Sequence, residues 1–179
     1  MSIDSMIQAT IAHEGGFSDD AADRGGATMY GITEAVARAN GFTGAMRDLT
    51  RDQAVAIYRG QYAIKPGFAA VEAISPPVGA ELFDTGVNMG PAVPALWFQQ
   101  VLNALNGGGS LYADIPEDGA IGPTTLAAFR AYLAKRAPDA EAVMLKALNG
   151  MQAARYIDLA LSRAANEAFV FGWLRARIS

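Results

Sequence analysis

Apolar residues recur with a helical period along most of the chain, and glycine, proline and capping residues divide that pattern into segments. The first segment has the spacing i, i+3, i+4, i+7 and i+8 at Ile3, Met6, Ile7, Thr10 and Ile11. This spacing predicts an amphipathic helix over residues 3–14. Ser2 or Asp4 can cap its start, and Gly15-Gly16 ends it.

The same signals predict further helices. Thr33 caps a run that Asn40-Gly41 ends, and Thr50 with Gln53 forms a capping-box pattern at the start of another helix. The remaining helices are predicted over residues 77–89, 93–105, 123–136, 139–162 and 164–176. In the last of these, Phe169, Phe171 and Trp173 are interpreted as the face that docks onto the protein.

Residues 17–33 carry no helical period. Six of them are Asp or Gly, which predicts a long loop or a small hairpin with tight turns.

Composition narrows the possible functions. The chain has 179 residues, 51% of them hydrophobic, which is enough for one domain or two tightly packed small lobes. It has no cysteine and one histidine, which excludes disulfides, thiolate metal sites and clusters of histidine ligands. The net charge of −4, with no basic stretch, argues against nucleic acid as a partner. No signal peptide or transmembrane helix is predicted.

One glutamate stands at the end of the first predicted helix. Glu14 lies on the apolar stripe that Ile3 and Ile7 define, at the negative end of the helix dipole. Both surroundings disfavour the ionised carboxylate and favour a raised pKa, which suits an acid that protonates a leaving glycosidic oxygen. The alternative is a boundary residue that reaches solvent. His13 falls on another face and is interpreted as a surface or supporting residue.

A second carboxylate lies nine positions later, in a glycine-rich turn. Asp23 opens an Asp-Arg-Gly-Gly sequence, where backbone and ligand can approach closely and an aspartate is expected to stay ionised. One neutral acid and one charged carboxylate are what a glycosidase needs. Thr28 and Thr33 supply hydroxyls that can orient a water. The alternative is an aspartate that fixes the loop, and Asp19 and Asp20 are rival candidates.

Other polar and aromatic side chains are candidates for substrate binding. Asp84 and Asn88 are one helical turn apart on a shared face, where they either bind hydroxyl or N-acetyl groups of a sugar or cap the neighbouring loop. Tyr30, inside the glycine turn, suits stacking on a sugar ring. Tyr58 and Trp97, at helical spacing, suit the core better.

Four short motifs are spread along nearly the whole chain. They are Glu-Gly-Gly-aromatic at 14–17, Asp-x-Gly-Gly-x-Thr-x-Tyr-Gly-Ile-Thr at 23–33, Phe-Asp-x-x-Val-Asn-x-Gly within 82–91, and Asp-Gly-x-Ile-Gly-Pro-x-Thr within 118–126. Together they resemble the glycoside hydrolase family 108 lysozymes, which are phage and bacterial N-acetylmuramidases that often act as endolysins.

The resemblance implies roles for individual residues. Glu14 is implied as the catalytic acid, in a layout like that of the phage-type lysozymes, where an aspartate follows the glutamate by nine positions as Asp23 does here. Thr28 follows Glu14 by fourteen positions, one fewer than in that pattern. The expected catalytic residues are Glu14, Asp23 and Thr28, the expected substrate-binding residues are Tyr30, Thr33, Asp84 and Asn88, and no metal or organic cofactor is expected.

The expected architecture is mainly α (α+β), a lysozyme-like helical fold with a small β-hairpin or irregular loop near residues 17–33. Residues 1–90 are expected to form a catalytic lobe and residues 91–179 a helical peptidoglycan-binding lobe, packed as one compact unit.

The expected function is hydrolysis of the β-1,4 bond between N-acetylmuramic acid and N-acetylglucosamine in peptidoglycan glycan strands. A phage or prophage endolysin is expected, acting as a monomer without membrane insertion. It would be made in the bacterial cytoplasm and reach the wall through holin-type or other release. The alternatives are a lytic transglycosylase and a non-catalytic wall-binding module.

Overall fold

The described part of the chain is mainly helical, with one small antiparallel sheet near the N-terminus. The computed structural model describes residues 1–18 and 26–178, without the side chain of Glu14. The helices in chain order are α1 (Ile3–Glu14), α2 (Glu34–Ala39), α3 (Arg51–Tyr58), α4 (Phe68–Glu72), α5 (Pro76–Met89), α6 (Ala92–Ala104), α7 (Pro123–Arg136), α8 (Ala140–Ser162) and α9 (Glu167–Arg177). A π-helical segment (Arg59–Ile64) follows α3, and short 3₁₀ turns span Met46–Asp48 and Ala164–Asn166. The predicted class, mainly α with a small β part, is confirmed.

Side-chain caps set the starts of the first helices, as the sequence predicted. The hydroxyls of Ser2 and Thr33 each accept the backbone N–H three residues further on. Thr50 and Gln53 form a complete capping box at the start of α3. These bonds satisfy N–H groups that have no partner within the first helical turn, so the three starts are fixed locally.

The sheet joins β1 (Phe17–Ser18), β2 (Thr28–Met29) and β3 (Ile32–Thr33) in that order, with antiparallel pairing throughout. Tyr30 and Gly31 form the turn between β2 and β3, with φ of 55° and 74°. Positive φ at both central residues is the geometry of a tight hairpin turn. Residues 17–33 therefore form strands and turns wherever the structure describes them, as predicted.

One apolar core extends through both halves of the chain. Ile3, Ile7 and Ile11 bury the inner stripe of α1, which packs against α3 and α5. The same buried cluster includes Phe98 of α6 and Phe129 of α7, whose rings meet edge to face at 5.0 Å. The helices of residues 92–162 thus pack on the same core as those of the first half, with α5 between them.

The packing of the last helix, α9, differs from the prediction based on its three aromatic residues. Trp173 packs on Tyr156 of α8, with ring centroids 5.4 Å apart. Phe169 and Phe171 are 59% and 73% exposed, so the prediction that all three aromatic residues dock is wrong. Phe171 lies two residues from Phe169 and from Trp173, which puts it on the opposite side of a helix with 3.6 residues per turn. Within the described ranges, none of the helices combines the length and the apolar character needed to span a bilayer.

Candidate functional site

A groove of about 330 Å³ lies beside the C-terminal ends of α1 and α5. From α1 it is lined by Thr10 and His13, from α5 by Asp84 and Asn88, and from α9 by Arg177. His13 is exposed and immediately precedes the glutamate that ends α1. The groove therefore adjoins the position at which the sequence predicts the catalytic acid.

The start of α1 is bonded to the end of α4, just before α5 begins. The backbone N–H of Ile3 donates a hydrogen bond of 2.7 Å to Oε1 of Glu72, four residues before α5 begins at Pro76. From this common origin α1 and α5 run side by side, and both line the groove.

Asp84 and Asn88 both line the groove, so they share one face of α5, as their spacing predicted. Oδ1 of Asp84 accepts a bond of 2.7 Å from Nη1 of Arg177. Nδ2 of Asn88 donates to the main-chain oxygen of Asp84 at 2.7 Å. These bonds run to α9 and along α5 itself rather than to a neighbouring loop.

The sheet brings the two candidate threonines together. Thr28 of β2 is the cross-strand partner of Thr33 of β3 and, on its other side, of Ser18. Both threonines are half-buried. The hydroxyl of Thr33 accepts the N–H of Val36 at 3.4 Å, so it caps α2. Within the described residues, the hydroxyl of Thr28 caps no helix.

Tyr30 occupies a turn position that tyrosine rarely adopts. Its φ of 55° is left-handed, and Tyr58 helps to hold it by donating its hydroxyl proton to the main-chain oxygen of Tyr30 at 3.2 Å. The ring of Tyr30 is half-buried at the margin of the core. Tyr58 is buried and Trp97 packs against the core, as predicted for both.

The side chains of the predicted carboxylate pair lie outside the described part of the structure. Asp23 and its rivals Asp19 and Asp20 lie outside the described residues, as does the side chain of Glu14. Glu14 is described only as the last residue of α1. In the described parts of the chain, no three His, Asp or Glu side chains are grouped to hold a metal ion.

A carboxyl group that the sequence analysis overlooked lies next to this groove. Glu81 lines a second groove of about 500 Å³ together with Asp84, Arg177 and the apolar Leu145 of α8. Burial, and then the negative charge of Asp84, raise the pKa of Glu81 from 4.5 to about 7, against a hydrogen bond from Thr85 that lowers it. The available signal was the spacing of the two acids at i and i+3 in α5, where like charges disfavour each other.

Comparisons with known proteins found matches for both halves of the chain. Residues 7–90 match the family model described as Glycosyl hydrolase 108, and residues 93–178 match the one described as Predicted Peptidoglycan domain. Among solved structures, the chain is similar to SagA of Brucella abortus, with 26% sequence identity and a TM-score of 0.62. That similarity covers 94% of this chain and 85% of the other. No curated protein matches the chain in sequence.

Proposed function

Because the chain belongs to the glycosyl hydrolase 108 family, we propose that Glu14 is the acid that protonates the leaving glycosidic oxygen. The chain is a glycoside hydrolase, an N-acetylmuramidase, and its substrate is peptidoglycan. The family match confirms the resemblance that the sequence motifs indicated. The roles of individual side chains are what we add to it.

The register of the sheet is the observation that carries this proposal. Ser18 follows Glu14 by four positions and is the cross-strand partner of Thr28. The sheet therefore pairs Thr28 with a residue that lies four positions after the end of α1. This register supports the proposal that Thr28 acts together with Glu14.

The reaction needs a second carboxylate, and we assign that role to Asp23. Glu14 gives its proton to the oxygen between the N-acetylmuramic acid and N-acetylglucosamine units while the glycosidic bond breaks. Ionised Asp23 stabilises the positive charge at the anomeric carbon or activates the attacking water, and Thr28 orients that water. Water supplies the hydroxyl group of the new reducing end.

The substrate-binding roles follow from the exposed polar faces around the groove. We assign the sugar contacts to Asn88, Asp84, Tyr30 and Thr33. Asn88 and Asp84 support this assignment by lining the groove, and Tyr30 and Thr33 by belonging to the hairpin that carries Thr28. Residues 93–178 are proposed to hold the enzyme on the wall, and residues 1–90 to carry the chemistry.

Mass spectrometry of wall digests by the Glu14→Gln variant tests the assignment. Glutamine keeps the shape of the side chain but cannot donate a proton to the leaving oxygen, so release of muropeptides is expected to fall by at least about 100-fold, the contribution typical of a general acid. Binding to walls and the thermal unfolding midpoint should not change. The matched control is Glu167→Gln, at the exposed start of α9, which should leave lysis intact.

The products decide between the enzyme classes. Reducing N-acetylmuramic acid ends support hydrolysis, whereas 1,6-anhydro ends would identify a lytic transglycosylase, which needs no water-positioning Asp23. Wild-type protein that binds walls without releasing muropeptides would show a wall-binding module. Full activity of Glu14→Gln would remove Glu14 from the acid role.

We propose bacteriolysis as the biological setting, with the chain acting as a monomeric phage or prophage endolysin. The combination of a glycosyl hydrolase domain with a peptidoglycan domain in one chain supports this. Expression in a bacterial host with and without a holin tests it, because lysis that requires the holin identifies an endolysin released through the membrane.

A further inference from the structure

The hairpin that carries Thr28 and Thr33 reverses direction through only two residues, Tyr30 and Gly31. Both have positive φ, 55° and 74°, which is the pattern of a type I′ turn. Glycine adopts this conformation freely, whereas tyrosine is strained in it. A strained residue persists only where its surroundings hold it, so this turn should be held by contacts from outside the hairpin.

The peptide between Tyr30 and Gly31 is the part of the turn that can take two orientations. Types I′ and II′ both have positive φ at the first turn residue, but only type I′ has it at the second, because the central peptide is flipped between them. The main-chain oxygen of Tyr30 belongs to this peptide, and it accepts a hydrogen bond of 3.2 Å from the hydroxyl of Tyr58. That bond favours the observed orientation over the flipped one.

Tyr58 lies at a fixed position in the core. It is the last residue of α3 and is only 5% exposed. Its ring packs on the ring of Tyr62, with centroids 5.6 Å apart. The π-helical segment Arg59–Ile64 follows directly, and segments of this rare kind are frequent at functional sites. Tyr58 is therefore a rigid support for the turn.

The segment after Tyr58 also binds the helices on both sides of the hairpin. Arg59 forms an ion pair with Asp4 of α1, the helix that ends at the proposed acid. Nε2 of Gln61 donates to Oδ1 of Asn40 at 2.8 Å, at the end of α2, which follows the hairpin. One short stretch of chain thus connects α1, the hairpin and α2.

The turn decides which way the hairpin presents its threonines. Thr28 is the cross-strand partner of Thr33, and Met29 is that of Ile32. Successive residues of a strand point to opposite faces, and Ile32 is buried in the core, so the two threonines share the face directed away from it. In a hairpin the turn type and the loop length fix this register.

We propose that Tyr58 is a positioning residue for the hydrolysis, because its hydroxyl holds the turn at Tyr30 and Gly31 in one conformation and thereby fixes how the hairpin presents Thr28. The inference rests on the proposed function, in which Thr28 orients the attacking water. A change of turn type alters the twist of both strands. Misplacement of a reacting group by about 1 Å is enough to lower a rate by about 100-fold.

Rates of muropeptide release over a range of wall concentrations test the inference with Tyr58→Phe, which removes only the hydroxyl. We expect kcat to fall about tenfold while the half-saturating wall concentration stays the same, because Thr28 is assigned to the chemical step rather than to binding. A hydroxyl that only stabilised the fold would lower the thermal unfolding midpoint and leave kcat unchanged well below that temperature.

The matched control is Tyr62→Phe. It removes the same group from the neighbouring ring, where the hydroxyl forms no hydrogen bond within the described residues. This variant should keep the kcat of wild type.

A substitution of Tyr30 shows whether the hydroxyl acts through the turn. Asparagine adopts the left-handed conformation at low cost, and Asn-Gly is a preferred type I′ sequence, so Tyr30→Asn gives a turn that needs no support from outside. In that background Tyr58→Phe should lower kcat by less than about twofold, since the two changes act on the same contact.

Full kcat in Tyr58→Phe would overturn the inference. An equal fall in kcat in both backgrounds would also overturn it, because the hydroxyl would then act through a contact other than the turn. If Tyr58→Phe alone fails to fold, the Tyr30→Asn background still decides, since a large loss of kcat there contradicts the inference. Failure of the proposed function is recognised separately, by the absence of muropeptide release from walls by the wild-type chain.

Discussion

Two buried glutamines of this fold have contrasting surroundings. Gln99 on α6 uses both ends of its amide, since Nε2 donates to Oδ1 of Asp118 at 2.8 Å and Oε1 accepts the N–H of Gly119 at 2.7 Å. Gln152 on α8 donates to Thr85 at 2.9 Å, but its Oε1 has no partner among the described residues. Both side chains are almost wholly buried.

The two networks differ in how completely their polar atoms are hydrogen-bonded. The network around Gln99 is closed, because Nε2 also reaches the main-chain oxygen of Ala120 at 3.0 Å, and it fixes the loop that leads into α7. The network around Gln152 runs through Thr85 to Glu81 and leaves Oε1 of Gln152 without a partner among the described residues. The amide of Gln152 is therefore the less completely bonded of the two.

Removing the closed network should have the largest effect on stability. Gln99→Leu keeps the volume but leaves the N–H of Gly119 and the oxygen of Ala120 without their partner. We expect a loss of about 3 kcal/mol in the free energy of unfolding, the sum of several lost bonds and newly unpaired groups. Urea unfolding measures it. Gln100→Leu, at the half-buried neighbouring position of α6, should cost much less. Similar losses for both variants would mean that the network is not the cause.

The turn at the end of this network can be predicted from the sequence, but the long-range bond from Gln99 cannot. An Asp-Gly pair such as that at 118–119 is typical of a tight turn, and here Gly119 has a φ of 71° while Oδ1 of Asp118 accepts the N–H of Ala120 at 2.9 Å. That turn, like the caps at Thr33 and Thr50, depends on residues within a few positions. The hydrogen bond from Gln99 to Asp118 joins residues 19 positions apart, and no local sequence pattern predicts it.

The candidate site divides in the same way. The hairpin that pairs Thr28 with Thr33 follows from glycines and β-formers that are close in sequence. The ion pair between Asp84 and Arg177 joins residues 93 positions apart, and the raised pKa of Glu81 depends on burial by α8 and α9. Such features arise from packing of distant segments, so periodicity and capping signals cannot predict them.

The carboxyl group of Glu81 should give the next largest effect, as a dependence of stability on pH. Its pKa is about 7 in the folded chain and 4.5 in the absence of the fold. A raised carboxyl pKa stabilises the folded state below about pH 4.5, and that contribution is lost as the pH rises towards 7. Glu81→Gln, which mimics the protonated group, should therefore be more stable than wild type at pH 8, by about 1–2 kcal/mol after allowance for screening of the partly exposed group.

Thermal unfolding at a series of pH values checks this. The difference between Glu81→Gln and wild type should be small at pH 4, grow between pH 4.5 and 7, and stay constant above that. Glu167→Gln is the control and should run parallel to wild type. Parallel curves for Glu81→Gln would show that the fold does not raise the pKa of Glu81.

Removing the network around Gln152 should change the free energy of unfolding only slightly. Gln152→Leu loses the hydrogen bond to Thr85 but also removes a buried oxygen that has no partner. These effects oppose each other, so we expect a change below about 1 kcal/mol in the free energy of unfolding. The measurement is urea unfolding beside Gln99→Leu. A loss as large as that of Gln99→Leu would show that the amide of Gln152 is fully bonded, and the contrast between the two glutamines would disappear.

Asp118 gives the smallest effect and the opposite sign from Glu81. The hydrogen bond from Gln99, followed by the N–H of Ala120, lowers the pKa of Asp118 below its ordinary 3.8. A lowered carboxyl pKa stabilises the fold above the ordinary value, and the stability is lost as the pH falls through the folded pKa. Asp118→Asn lacks the ionised acceptor, so it should be slightly less stable than wild type near neutral pH, and the two should converge in acid.

The contribution of ionised Asp118 to stability should be lost on acidification. It is measured as the steepness of acid unfolding, followed by circular dichroism. Wild type should lose stability below about pH 4 more steeply than Asp118→Asn, because wild type takes up a proton at this carboxylate when it unfolds. Gln99→Leu should reduce the same steepness without touching Asp118, since it removes the strongest cause of the lowered pKa. Asp158→Asn, at an exposed position of α8, is the control. If Gln99→Leu left the acid limb unchanged, the carboxylate would owe its pKa to the turn alone, and the closed network would end at Gly119 rather than include Asp118.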